Sequence, residues 1–201
     1  MPLQNRVLPT GEIVAHPARG LMMGNRGRLH TPARTLAGRR WTTTTWVACA
    51  LCFNDRHRAV WGPASYTELF FLDEAVALAA GHRPCAECRR ADYRRWQSAW
   101  QRAHGEPPTA PAMNARLHAD RVDGRAQRRF LAPVETLPAG SFILAEGAAW
   151  LVGPAALHRF APAGYDATRP RGSGQVTVLT PACTVAVLAA GYRPRLHPSA
   201  T

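Results

Sequence analysis

The first half of the chain alternates between short β-prone runs and helical stretches. Residues 41–47 and 66–72 are rich in β-branched and aromatic side chains, so each run predicts a strand. Asp73 can then cap a short helix over residues 74–80. Gly81 can end that helix in the left-handed conformation that favours glycine.

Residues 89–104 have the pattern of an amphipathic helix. Tyr93, Trp96 and Trp100 share one face at positions i, i+3 and i+7, which indicates core packing, with a base-stacking platform as the alternative. The arginines of this helix lie largely away from that face: Arg90, Arg94, Arg95 and Arg102.

After a proline-rich linker at residues 105–111, the pattern predicts a further helix within residues 112–131. Met113 and Leu117 face inward in that helix, and a basic turn follows it. Beyond Leu137 the pattern becomes β-like. Two apolar runs flank Glu146-Gly147 as in a hairpin, residues 175–179 predict another strand, and a last helix runs from residue 180 to 191.

Two ten-residue segments of the chain are similar. Residues 75–84 read AVALAAGHRP and residues 185–194 read VAVLAAGYRP, with six of ten positions identical. A degenerate duplication, a recurring helix-stop motif and chance similarity between alanine-rich stretches all explain this match. Only the first segment continues into a cysteine pair.

The charge of the chain is strongly basic. Its 201 residues include 25 basic and 13 acidic side chains, for a net charge of +12, and all of the basic ones are arginine. A GC-rich genome explains arginine in place of lysine but not the basic excess. We therefore expect a nucleic-acid partner, with an acidic protein as the alternative.

Residues 1–40 are rich in Gly, Pro and Arg. This composition predicts a basic arm wrapped over the body of the protein, or a disordered tail. The arginines that the arm offers to phosphates are Arg26, Arg28, Arg34, Arg39 and Arg40. Residues 1–28 lack an apolar core of signal-peptide length, and no stretch approaches the roughly 20 apolar residues of a membrane span. We expect a cytoplasmic protein without a membrane partner.

Four of the five cysteines form two Cys-x-x-Cys pairs. Cys49 and Cys52 are separated from Cys85 and Cys88 by 32 residues. Each pair can hold one side of a tetrahedral ion, so Zn²⁺ bound by all four is the expected cofactor, and no small-molecule cofactor is implied. Buried thiol pairs, a redox dithiol and disulfides are the alternatives. Cys183 lies in an apolar stretch, which indicates a small buried side chain.

Together these patterns predict an α+β fold, with a small zinc-knuckle α/β module followed by a β-rich C-terminal unit. The expected divisions are a basic arm at residues 1–40, the zinc module at 41–104, a linker and basic helix at 105–136, and the C-terminal unit at 137–201.

One region has a recognisable arrangement. The sequence LFFLDE at residues 69–74 precedes AAGHRPCAECR at residues 79–89, and four threonines, Thr42 to Thr45, precede Cys49. Over residues 41–95 this arrangement resembles the metal-binding domain of Ada-type DNA repair proteins. In that family two aromatics precede a short helix, and a segment A-G-[aromatic]-R-P-C-x-x-C-R supplies the last two zinc thiolates.

The resemblance implies binding to the DNA backbone and removal of a methyl group from a methylphosphotriester. It implies that Cys49 is both zinc ligand and nucleophile, while Cys52, Cys85 and Cys88 complete the metal site. We expect the arginines around the second pair and along the following helix to contact phosphates: Arg83, Arg89, Arg90, Arg94 and Arg95.

Other functional classes stay open. A DNA-processing nuclease would use the zinc module for structure and His118, Asp120 or His57 for catalysis, and a basic interaction module would bind RNA or an acidic protein. A nucleobase deaminase is excluded, because no histidine ahead of the second cysteine pair has the required glutamate two positions later.

Overall fold

The computed structural model describes residues 1–55, 59–63, 65–105 and 109–200. Within these residues the fold is α+β, as the sequence predicts. It has four α-helices, two six-stranded sheets and a two-stranded hairpin. In the described ranges, no helix combines the length and the hydropathy that a membrane crossing requires.

The first sheet supports the cysteine-bearing segments. Its strands are β1 (Gln4–Val7), β2 (Ile13–Ala15), β3 (Met22–Asn25), β4 (Val47–Cys49), β5 (Leu69–Phe71) and β6 (Arg83–Pro84). They lie in the order β2-β1-β5-β3-β4-β6. Two pairs, β1 with β5 and β4 with β6, are parallel, and the others are antiparallel.

The N-terminal segment is part of this sheet, so the expectation of an arm or tail at residues 1–40 is wrong. Strand β3 lies between β5 and β4. Val7, Met22 and Leu29 are buried in the same core cluster as Phe71. Strands of three or four residues, set among glycines, prolines and arginines, are too short to stand out by alternation.

The strand predicted over residues 41–47 is displaced. Strand β4 begins only at Val47, because the preceding residues pack as a loop. Trp46 is buried, and its indole N–H donates to Thr43 O at 2.8 Å. The Thr42 amide donates to Arg26 O. The β-prone side chains therefore stabilise a turn rather than a ladder.

The predicted helices are present, with shifted ends. Helix α1 (Glu74–Ala79) is capped by Asp73, which accepts a hydrogen bond from the Val76 amide. Helix α2 (Arg90–His104) buries Trp96 and Trp100 against the later helices, so the aromatic stripe is core packing. The other two helices are α3 (Ala110–Arg121) and α4 (Ala182–Ala189).

Helix α3 ends ten residues before the limit of the predicted segment. Met113 and Leu117 face the core, as predicted, and both are fully buried. The basic turn after the helix is the hairpin of β7 (Val122–Asp123) and β8 (Ala126–Gln127).

The second sheet is antiparallel throughout and contains the predicted 142–152 hairpin and the strand near residue 175. Its strands are β9 (Phe130–Pro133), β10 (Phe142–Ala145), β11 (Ala148–Val152), β12 (Ala156–Ala161), β13 (Gly164–Pro170) and β14 (Gln175–Val178), in the order β13-β12-β11-β10-β14-β9. Phe142 and Leu151 of this sheet share one core cluster with Phe71 of the first sheet, so the two sheets pack together.

Candidate metal centre

The parallel pairing of β4 with β6 places the two cysteine-bearing segments side by side. Val47 aligns with Arg83 and Ala48 with Pro84, so Cys49 and Cys85 are the next residues along the two strands. The Cys85 amide donates to Ala48 O at 3.0 Å. Strand register thus brings one cysteine from each pair to the same end of the sheet.

Three cysteines form a cluster at this position. The sulfur atoms of Cys49, Cys85 and Cys88 all lie within 4.8 Å of one another. A tetrahedral ion with Zn–S bonds of about 2.3 Å places its sulfur ligands about 3.8 Å apart. The cluster is therefore of a size that can hold a metal ion with thiolate ligands.

Backbone amides are directed at these sulfur atoms. The Ala50 amide donates to Cys88 Sγ at 3.4 Å, and the amides of Glu87 and Cys88 donate to the Cys85 sulfur. Hydrogen bonds from Cys49 and Cys88 lower the pKa of Cys85, whereas hydrogen bonds to Cys85 and Cys88 raise the pKa of Cys49. These hydrogen bonds thus stabilise a thiolate at Cys85, whereas the pKa values of Cys49 and Cys88 are raised. The spacing of the three sulfur atoms fits a thiolate-bound metal such as zinc.

Cys52 lies outside the cluster. It is exposed, three residues after the end of β4, and among the described residues it is not part of the metal-ligating group. The structure therefore brings together three of the four predicted ligands, and the role of Cys52 as the fourth stays a prediction. All five cysteines are free thiols, and Cys183 is buried, as its apolar context predicts.

A cavity of about 490 Å³ adjoins the three cysteines. This volume lies within the range of sites for small molecules and cofactors. Glu68 is buried in its wall and accepts a hydrogen bond from the Trp61 amide at 2.7 Å. The remaining walls combine apolar and polar side chains: Met23, Asn25, Leu51, Phe53, Val60, Tyr66, Phe70 and Glu87.

Two of the predicted DNA-contacting arginines are buried and hold the fold together. Arg83 is 3% exposed and donates from Nε to Asn114 Oδ1 at 2.9 Å. Arg89 is 6% exposed and forms ion pairs with Glu74 and Asp92 at 2.8 and 2.7 Å. The expectation that Arg83 and Arg89 offer surface contacts to phosphate is therefore wrong. Tertiary packing removes both side chains from solvent, and the sequence alone does not show this burial.

The other three predicted arginines are exposed. Arg90, Arg94 and Arg95 lie on α2, which begins two residues after Cys88. Arg95 forms an ion pair with Asp92. The DNA-contact hypothesis thus retains these three side chains.

The residues considered for a nuclease have separate partners. His118 contacts the rings of Trp41 and Trp46 and lies 3.1 Å from Arg121 Nη2. Asp120 accepts a hydrogen bond from the Cys183 amide. These contacts give His118 and Asp120 structural roles, and His57 lies outside the described residues.

Sequence analysis missed Glu68 as a residue of the site. In the run YTELFFL it stands beside Thr67, another polar residue, and glutamate is among the residue types that are least often buried. Its burial depends on Trp61, which lies in a separate loop. The only local signal is a carboxylate placed directly before a continuous apolar run.

No protein-family model matches this chain, and neither the curated proteins nor the solved structures provide a match.

Proposed function

We propose that this protein binds zinc, contacts DNA, and accepts a methyl group from a DNA methylphosphotriester on Cys49. One observation carries the proposal: three cysteine sulfurs meet in the wall of a 490 Å³ cavity. A thiolate beside a cavity of that size can meet a ligand that enters from outside. The resemblance of residues 41–95 to an Ada-type metal-binding domain supports the same chemistry.

Cys49, Cys85 and Cys88 hold the ion in this proposal, with Cys52 as the fourth ligand. Bound zinc supplies one effect, which is to keep cysteine thiols deprotonated at neutral pH. Cys49 Sγ donates an electron pair to the methyl carbon, so that an S–C bond forms. The O–C bond of the triester breaks, and a phosphodiester anion leaves.

The charges around the cavity favour a neutral triester over an ordinary phosphate. Glu68 and Glu87 line the cavity, and their carboxylates repel a phosphodiester anion. A methylated phosphate carries no charge and escapes this repulsion. The exposed Arg90 and Arg94 of α2 supply attraction for flanking backbone phosphates.

The test is mass spectrometry of the zinc-loaded protein after incubation with duplex DNA that carries methylphosphotriesters. We expect a gain of one methyl group on a peptide that contains Cys49. Cys49→Ala removes the gain, whereas Cys183→Ser, which changes a thiol outside the cluster, retains it. Absence of transfer by protein that holds one zinc per chain would overturn the proposal.

Salt titration tests the DNA contact separately. The logarithm of the binding constant is expected to fall with the logarithm of salt concentration by about 0.9 for each phosphate contact. Arg94→Gln is expected to reduce the magnitude of this slope by about 0.9, the value for one phosphate contact. Arg159→Gln, which changes an exposed side chain on β12 of the second sheet, should leave the slope unchanged. A flat salt dependence on duplex DNA would contradict the proposal.

The cavity favours a second candidate, a metal site that binds a small molecule. Its volume suits a ligand of nucleoside size, and Glu68 and Glu87 offer acceptors beside the apolar side chains of the wall. This candidate would be favoured over the first if the protein bound zinc but not DNA, and if a compound from a small-molecule library raised its melting temperature.

A further inference from the structure

Two buried arginines lie over the ring of Trp46. Arg26 and Arg121 are each 2% exposed, and their guanidinium carbons lie 4.3 and 3.7 Å from the Trp46 ring centroid. In the described part of the chain, no carboxylate lies within ion-pair distance of either one. Cation–π contact offsets only part of the cost of burying two like charges.

Each of these arginines also has a buried N–H group without an acceptor. Arg26 donates from Nη1 to Gly11 O at 3.0 Å, and Arg121 donates to Gly81 O and Thr44 O at 2.9 and 2.8 Å. Among the residues that the structure describes, none accepts from Arg26 Nη2 or from Arg121 Nε. Buried donors of this kind are rare in folded proteins and indicate an additional ligand or water.

The charge of this pair persists at neutral pH. Burial, and next the charge of Arg40, lower the pKa of Arg26 to about 9. Burial, and next the charge of Arg26, lower the pKa of Arg121 to about 9. Both groups thus remain cationic near pH 7, and a bound anion would relieve their repulsion.

Arg26 and Arg121 line a small inner cavity of about 20 Å³. Gln127 lines it as well. Its Nε2 donates to three backbone carbonyls, which fixes the amide orientation, and within the described ranges its buried Oε1 has no donor. The inner cavity therefore presents two cationic donors and one acceptor.

The inner cavity adjoins an open outer groove of about 450 Å³. Arg40, Trp41 and Arg125 line both spaces, and Arg39 lines the groove alone. All three arginines are exposed. Arg125 also donates to Gly38 O, which ties the hairpin of β7 and β8 to this segment.

We propose that this place binds a phosphate group with at most one ester bond, either free hydrogen phosphate or the terminal phosphomonoester of a larger ligand. The inner cavity has room for one oxygen atom, since a water-sized group needs about 10–15 Å³. That oxygen accepts from Arg26 and Arg121, and the other oxygens lie in the groove near Arg40 and Arg125.

The chemistry of the site favours such a phosphate group over two other occupants. A water molecule can satisfy hydrogen bonds but leaves the charges of Arg26 and Arg121 uncompensated. A phosphodiester has no O–H group to donate to Gln127 Oε1, whereas hydrogen phosphate and the singly protonated form of a phosphomonoester each have one. The inference is independent of methyl transfer, because the site shares no lining residue with the cysteine cavity.

The first experiment is isothermal titration of the 201-residue, zinc-loaded protein with sodium phosphate at constant ionic strength, with sulfate and chloride as reference anions. We expect saturable binding of phosphate that is tighter than binding of sulfate. A thermal melting shift with phosphate that exceeds the shift with chloride is the parallel readout. Equal responses to the three anions would assign the cavity to water and overturn the proposal.

The second experiment uses the double substitution Arg40→Gln, Arg125→Gln, which changes only exposed side chains. The Kd for phosphate is expected to rise by about tenfold or more, as for the loss of charged hydrogen bonds. Arg159→Gln is the matched control and keeps the parent Kd. An unchanged Kd in the double variant would also overturn the proposal.

A third titration distinguishes free phosphate from the terminal phosphate of a larger ligand. It compares a nucleoside 5′-monophosphate with the unphosphorylated nucleoside. Tighter binding of the monophosphate than of inorganic phosphate assigns the site to the end of a larger ligand. Equal Kd values, with no binding of the nucleoside, assign it to free phosphate.

Discussion

The two similar segments, residues 75–84 and 185–194, fold alike as far as their glycine. Gly81 donates to Leu78 O at 2.9 Å, and Gly191 donates to Leu188 O at 3.0 Å. Both glycines have positive φ, +84° and +100°. The next residue in each segment donates back to the helix, at 2.9 and 3.2 Å. One short sequence pattern thus produces the same helix end twice.

Beyond the glycine the two segments differ. Arg83 and Pro84 form β6, which pairs with β4 and continues into Cys85. Arg193 and Pro194 form no strand, and Pro194 packs near Gly140. Strand β4 lies beside the first segment and pairs with it. The comparison teaches that local sequence decides where a helix stops, and the neighbouring chain decides what the following residues become.

The largest effect is expected at the residue that follows the first segment. Cys85→Ser removes a ligand at the centre of the cluster, so we expect loss of zinc and of the order it gives to residues 41–104. Structural zinc contributes about 10–16 kcal/mol of apparent binding free energy in small peptides. Native mass spectrometry and thermal melting measure both changes.

Cys183→Ser, a thiol substitution in the helix of the second segment, is the control and keeps one zinc per chain. Retention of full metal content and melting temperature by Cys85→Ser would refute the metal assignment.

The glycines give a matched pair of substitutions. Both Gly81→Ala and Gly191→Ala incur left-handed strain of about 1–2 kcal/mol. A Cβ at Gly81 would also lie 2.5 and 2.9 Å from atoms of the Arg121 side chain, whereas at Gly191 the nearest atom is 3.7 Å away. We expect Gly81→Ala to cost about 3 kcal/mol or more, because overpacking adds about 1–3 kcal/mol. Equal losses in urea unfolding would show that Arg121 moves freely.

The arginines after the glycines form a second pair. Arg83→Met deprives the buried Asn114 carbonyl of its donor, so we expect a loss of about 1.5–3 kcal/mol in the free energy of unfolding. Arg193 is exposed and, among the described residues, donates to two carbonyls of its own helix end. Arg193→Met should change stability by less than about 0.5 kcal/mol. Denaturant titration of both variants measures the difference, and a larger loss for Arg193→Met would contradict it.

The smallest effect concerns the contact between the two segments. Tyr192, from the second segment, donates to Glu74 Oε1 at 2.6 Å, at the start of the first segment's helix. Tyr192→Phe should cost about 1.5 kcal/mol, since Glu74 keeps Arg89 as a partner.

The same contact predicts a pH effect. Burial, and next the charge of Glu74, raise the pKa of Tyr192, so the folded state keeps its proton after the unfolded state has lost it. Stability should therefore fall as pH rises above about 10, the pKa of an unfolded tyrosine. This slope should be smaller in Tyr192→Phe. An identical slope in the variant would assign the alkaline loss to other groups.

Elements that depend on neighbours a few residues away were predictable from the sequence. Asp73 caps α1 and Gly81 ends it because their hydrogen bonds reach three to five residues along the chain. The stripe of Trp96 and Trp100 is buried because helical spacing puts both on one face. The Cys-x-x-Cys pairs likewise indicated a metal site before any fold was known.

Features that depend on distant partners were decided by tertiary structure alone. The pairing of β4 with β6 brings Cys49 close to Cys85 and Cys88, while Cys52 lies outside the cluster. Two carboxylates pair with the buried Arg89, whereas Arg26 and Arg121 are buried with no carboxylate in ion-pair range within the described part of the chain. The physical reason is that backbone propensity and hydrogen-bond reach act over one helical turn. Desolvation, strand register and charge compensation instead depend on segments that meet only after the chain has folded.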